Sequence, residues 1–193
     1  MDLTQGTAQE KNARAKKMML WFGMVSLIMG FAGWTSAYIV SSSREDWLQD
    51  LTLPSAFFIS TVIILISSFT YHFAKRSQAR EAKGASTRWL IATLALGLLF
   101  IALQFVGFSQ MVAQGYYFTG PTSSITMSYI FLIAMVHIVH VVAGLISLGV
   151  VMYSQVNGKY ANGNLLGMEL GITFWHFLGL LWLYLILFFY FFN

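Results

Sequence analysis

The sequence predicts an all-α membrane protein of five transmembrane helices, with the N-terminus cytoplasmic and the C-terminus outside. Three observations predict it. Of 193 residues, 58% are hydrophobic and only 9% charged, against roughly 25% charged in a soluble domain. Five charge-free windows reach the length of about 20 apolar residues that a bilayer core about 30 Å thick requires. Lys and Arg gather at alternate ends of those windows, as they do on the cytoplasmic side of membrane proteins.

The spans run from about 18 to 40, 53 to 74, 89 to 110, 126 to 153 and 165 to 192. They form one domain, 18–193, behind a polar cytoplasmic tail, 1–17. That tail leads straight into an apolar run of full spanning length. The first span is therefore read as retained rather than as a cleaved signal. Pro54 falls in the first turn of the second span, where a missing N–H costs nothing. Between Arg88 and Lys159 there is no Asp, Glu, Lys or Arg. Two spans must share that stretch, and "QGYYFTGPTSS" supplies the turn between them.

The tail carries Lys11, Arg14, Lys16 and Lys17, and the second loop Lys75, Arg76, Arg80, Lys83 and Arg88. The first loop has Arg44 beside Glu45, Asp46 and Asp50. The third has no basic residue, and the fourth has Lys159 alone. The +4 net charge thus follows mostly from topology and calls for no nucleic-acid partner. Trp21, Trp47, Trp89, Tyr116, Tyr117 and Tyr190 sit near span ends, as in an interfacial aromatic belt. The expected location is a bacterial cytoplasmic membrane.

With no cysteine, disulfides, thiolate metal sites and iron–sulfur clusters are excluded. Gly23, Ser26, Gly30, Gly33 and Ala37 recur at spacings of three and four, a small-residue seam suited to close helix packing. Inside the bilayer, ionisable and strongly polar groups are expensive and each asks for a reason. Here they are His137, His140, Glu169, His176 and Gln104. Glu169 and His176, seven residues apart, share a helix face at an axial separation of about 10 Å. His72 falls at the inner end of the second span.

The residues alone leave three readings of this cluster open. His140 and His176 on neighbouring helices suit a bis-histidine haem. His137 and His140 with a third ligand suit a metal, although i, i+3 spacing is less favourable than i, i+4. Neutral imidazoles hydrogen-bonding between helices is the structural reading.

Two C-terminal motifs, taken together, resemble the end of subunit III of haem–copper oxidases, the family of cytochrome c and quinol oxidases. They are "HIVHVVAGLISL", with His137, His140, Val141 and Gly144, and "ELGITFWHFLGLLWLYL", with Glu169, Trp175, His176, Phe177, Trp182 and Leu183. "FAG" at 31–33 and "FIALQ" at 100–104 echo the same family. The resemblance implies an accessory subunit, bound to the haem-bearing subunit I and to other oxidase subunits. Such a subunit binds phospholipid and supports assembly and proton uptake. The chain would carry no haem, copper or other metal and no catalytic residue of its own, and it favours the structural reading of the histidines. His137, His140, Glu169, His176 and Gln104 would then form one interior polar network.

Two departures stand out. The chain matches the short, five-helix form of the family and not the seven-helix form. It has Leu27 where the long form has a buried glutamate, and Gly179 where the family has an aspartate, so no role is carried over for either carboxylate. Two alternatives to a cytochrome c oxidase subunit remain. One is subunit III of a quinol oxidase in the same superfamily; the other is a small proton or ion carrier built on Glu169 and the histidine line. A haem-bearing anchor of a dehydrogenase is a further class that the histidines alone permit.

Overall fold

The computed structural model describes residues 6–48, 52–120, 123–160 and 165–192. Asp50 and the turn residue Pro121 lie outside them. Within the described residues the chain is five helices: α1 (Ala8–Ser41), α2 (Ser55–Ala79), α3 (Lys83–Ala113), α4 (Ile125–Val156) and α5 (Leu166–Phe191). All five are long and apolar enough to cross a membrane. Each of the first four overruns its apolar window at one or both ends. Helical hydrogen bonding continues past the hydrocarbon, since nothing at those ends breaks it. The clearest case is α1, which begins ten residues before Met18, inside the polar tail. There Thr7 accepts from the amide of Glu10, and Glu10 accepts from the amide of Thr7, a reciprocal cap that satisfies two otherwise orphaned donors. Pro54 stands one residue before α2, as its N-cap with φ −58°.

Helices α2, α3, α4 and α5 form a closed ring in which each packs on its two neighbours, α5 closing back on α2. Helix α1 lies outside the ring against α4 and α5, and packs on neither α2 nor α3. Two tryptophans, seven residues apart on α5, fill the ring. Trp175 donates its indole N–H to Ser67 of α2 at 2.9 Å, and its ring lies over Gly97 of α3 and Gly144 of α4. Trp182 donates to Thr61 of α2 at 3.1 Å and meets Phe100 of α3 edge-on and His137 of α4 face-on. Each ring therefore touches all three of the other helices. Burying a Trp in a membrane interior requires a partner for its N–H. The hydroxyls of α2 supply it, while donating their own protons to Phe57 and Ile64 carbonyls one turn back.

Candidate functional site

The five polar residues expected to form one network fall in separate places. His137 is fully buried, stacked on Trp182 with ring centroids 5.1 Å apart and flanked edge-on by Phe31 and Phe100 at 6.2 Å each. Among the described residues neither of its ring nitrogens has a hydrogen-bond partner. It works here as a flat aromatic, because aromatic rings surround it. His140, half-buried, spends Nδ1 on the carbonyl of Val136 in its own helix, at 2.7 Å, and its ring meets Phe31 of α1. His176 lines a groove with His72 and Ser68 of α2. His140 and His176 thus attend different helix interfaces rather than facing one another, as a bis-histidine haem would need.

Gln104 is fully buried and donates to Ser60 Oγ at 2.8 Å, which joins α3 to α2 rather than to the histidines. Thr70 and Thr93 share a second α2–α3 hydrogen bond at 2.8 Å. On α2, the partners in these bonds and in the two indole bonds are Ser60, Thr61, Ser67 and Thr70. Sequence reasoning passed them over because single hydroxyls are unremarkable in membrane helices. Their signal was present: Thr61 and Ser67 are six apart on α2, against seven for Trp182 and Trp175, the antiparallel partners that donate to them.

Glu169 lies at the end of the bundle that carries the basic residues. Lys17 Nζ of α1 is 3.0 Å from its Oε2, and Lys75 Nζ of α2 is 3.3 Å from its Oε1. One carboxylate on α5 thus ties down two helices that do not touch each other, so it joins no line of histidines. Beside it, Gln155 of α4 donates to Gln78 of α2 at 2.6 Å, and Gln78 donates to the carbonyl of Tyr160. Burial pushes the Tyr160 phenol up from its ordinary value.

The small-residue seam faces outward. A methyl group added at Gly23, Gly30 or Gly33 would meet nothing within 4 Å. The face of α1 that packs within the chain is instead Met24, Phe31, Thr35 and Tyr38. At the departure from the family pattern on α5, Gly179 is buried against Ser68, whose Oγ would lie 3.4 Å from an added Cβ. Ser68 itself donates to Ile64, so the α2–α5 contact there is made without a carboxylate. Among the described residues, no group of three or more His, Cys, Asp or Glu side chains is placed to hold a metal ion.

This geometry defines a class: a multi-pass α-helical membrane protein whose interior polar groups join helix to helix. Residues 46–193 match the family described as cytochrome c oxidase subunit III, and the chain belongs to that family. A cytochrome bo(3) ubiquinol oxidase subunit 3 of Pseudomonas aeruginosa is 37% identical over 127 residues, covering 65% of this chain and 58% of the relative. One of Pseudomonas putida is 31% identical over 65% of this chain and 59% of its own length. A cytochrome c oxidase subunit 3 of Synechocystis sp. is 26% identical over 85% of this chain and 72% of its own length. The chain thus matches a little under three-fifths of the two Pseudomonas relatives.

Proposed function

We propose that this chain is an accessory, non-catalytic subunit of a haem–copper terminal oxidase in a bacterial cytoplasmic membrane, seated against the haem-bearing subunit I. In this reading the partner subunits bind haem and copper and reduce O₂, while this chain supports their assembly and proton uptake in company with bound phospholipid. Its basic end, with Lys17 and Lys75, faces the cytoplasm. The observation that carries the reading is the family match across 46–193, which contains both C-terminal motifs. The ring's architecture supports it: the motif residues Trp175, Trp182, His137 and Gly144 interlock four helices, a packing role with no step of chemistry assigned to it. Relatives carry both the quinol and the cytochrome c oxidase names, and in this reading the electron donor docks on other subunits.

Affinity purification of the tagged chain from native membranes in mild detergent tests it. The expected result is a larger co-purifying subunit and a reduced-minus-oxidised haem spectrum that belongs to that subunit. A chain recovered without any haem-bearing partner, from membranes whose oxidase stays active in the same detergent, would overturn the reading.

A further inference from the structure

The interior of the ring changes character along its length. Where Trp175 and Trp182 fill it, both indole N–H groups are paired. Toward the basic end the filling side chains are polar. Tyr71 and Gln78 come from α2, Ser86 from α3 and Gln155 from α4, and all four are buried.

The placement of these four follows from printed contacts between the helices. The hydrogen-bonded pairs Ser60–Gln104 and Thr70–Thr93 set the register of α2 against α3, and the same pairing carried two turns on brings Ser86 level with Gln78. Gln155 reaches Gln78 directly, at 2.6 Å. Tyr71 precedes Gln78 by two turns on the same face of α2. Its hydroxyl occupies the space that α5 leaves by lacking a side chain: a methyl group at Gly171 would lie 2.5 Å from it and 3.2 Å from Val151, which stands one turn from Gln155 on α4. Gly167, one turn nearer the basic end, makes room for the Tyr160 hydroxyl in the same way, at 2.8 Å.

Three oxygens in this chamber, Tyr71 Oη, Ser86 Oγ and Gln155 Oε1, are buried with no hydrogen-bond partner among the described residues. They belong to three different helices. Leaving a buried polar atom unpaired costs more than a hydrogen bond returns, and native interiors pair such atoms with protein or with ordered water. The donor set decides what can pair these. The two hydroxyls donate or accept, whereas the amide oxygen only accepts. An anion would face the lone pairs of Gln155 Oε1. A cation would enter the end that Lys17 and Lys75 already occupy, and none of the four groups carries a charge to offset it. A small neutral molecule that both donates and accepts satisfies all three oxygens, and a buried water makes about three such bonds.

We propose that the basic end of the ring is a binding site for internal water, shared by Tyr71 of α2, Ser86 of α3 and Gln155 of α4 beside Gly171 of α5. The water extends the Gln155–Gln78 hydrogen bond into a bridge across three helices, at the end where no tryptophan fills the ring. The proposal is independent of membership of an oxidase complex.

Brief X-ray irradiation of the full chain in detergent, read by mass spectrometry, tests it. The hydroxyl radicals so formed react close to the water that yields them, so a buried ring is oxidised only where water lies beside it. Tyr71 should gain oxygen, while Phe100, equally buried but among aromatic rings, should not. Tyr71→Phe should lower the unfolding midpoint in denaturant. Ser86→Ala should then cost less in that background than in the unaltered chain, because the two side chains share one water. A permanently orphaned hydroxyl predicts the opposite sign, a midpoint raised by Tyr71→Phe. An unlabelled Tyr71 in the unaltered chain, a raised midpoint in Tyr71→Phe, or strictly additive effects of the two substitutions would overturn the proposal. The labelling arm needs no variant, and so decides the matter even where a substituted chain fails to fold.

Discussion

Two sets of glycines divide the molecule. In the ring, a methyl group at Gly97 would lie 2.7 Å from the Trp175 ring, at Gly144 2.8 Å from Leu178 and 3.2 Å from Trp175, and at Gly171 2.5 Å from the Tyr71 hydroxyl, while one at Gly107 would strike the ring of Phe57. In α1, Gly23, Gly30 and Gly33 face open space. At these four positions a missing side chain makes room for a particular aromatic residue, and so belongs to the chain's own fold. In α1 it leaves a smooth outer face. Small residues let helices approach closely, but their spacing does not say whether the approaching helix belongs to the same chain.

The largest effect should come from the aromatic ring that His137 depends on. Trp182 is fully buried, and Trp182→Ala removes the face His137 stacks on and leaves the Thr61 hydroxyl without its indole donor. Deleting so large a buried ring costs about 3 kcal/mol or more. The expected result is a chain that unfolds at markedly lower denaturant in detergent, or is cleared from the membrane. Trp182→Phe should recover most of the loss, because the missing N–H alone is worth only about 1 kcal/mol inside a membrane protein. Equal loss in the two variants would mean that the hydrogen bond, and not the packing, matters.

The next effect separates the two glycine sets directly. Gly144→Val forces side-chain atoms into Leu178 and Trp175, and overpacking of this kind costs about 1–3 kcal/mol. The identical change at Gly30 meets nothing within the chain, so Gly30→Val should leave the unfolding midpoint of the isolated chain almost where it was. If the outer face of α1 packs against a partner helix, Gly30→Val should instead weaken retention of the chain in its complex. Pulse-labelled blue native electrophoresis reads that retention. Destabilisation of the isolated chain by both variants would erase the distinction drawn here.

How far the fold was legible follows from this contrast. Apolar length and charge placement marked every helix, because a bilayer leaves a chain few other ways to satisfy its backbone. The C-terminal motifs pointed to the residues that fill the ring. The meaning of the histidines was not legible, since an imidazole serves as ligand, hydrogen-bond donor or flat ring according to its neighbours. Those neighbours, Trp182, Phe100 and Phe31, come from three other helices. Glu169 misled for a similar reason. Its helix face suggested His176, but its partners, Lys17 and Lys75, stand 152 and 94 residues away and become adjacent only when α1 and α2 both meet the start of α5.

The smallest predicted effect lies where α1 is farthest from the ring. The helix begins in the polar tail because Thr7 and Glu10 cap each other. Accepting the Thr7 amide, together with a hydrogen bond to the Thr7 side chain, holds the Glu10 carboxyl below its ordinary value of 4.5. A depressed folded-state value means that the carboxylate stabilises the cap above the ordinary value, and that this contribution is lost as pH falls through the folded value. Hydrogen exchange at the amides of Thr7 and Glu10, corrected for intrinsic rate, should therefore show protection at neutral pH that fades below about pH 4.5, as an ordinary carboxylate range implies. Glu10→Gln should abolish that step, and Thr7→Ala should cost the first turn about 1 kcal/mol at any pH. Neither should move the global unfolding midpoint, because the residues of α1 that pack on α4 and α5 start at Met24 and the nearest tie before it is Lys17 to Glu169. A shifted midpoint in Thr7→Ala would mean that the tail helix is coupled to the ring more tightly than these contacts allow.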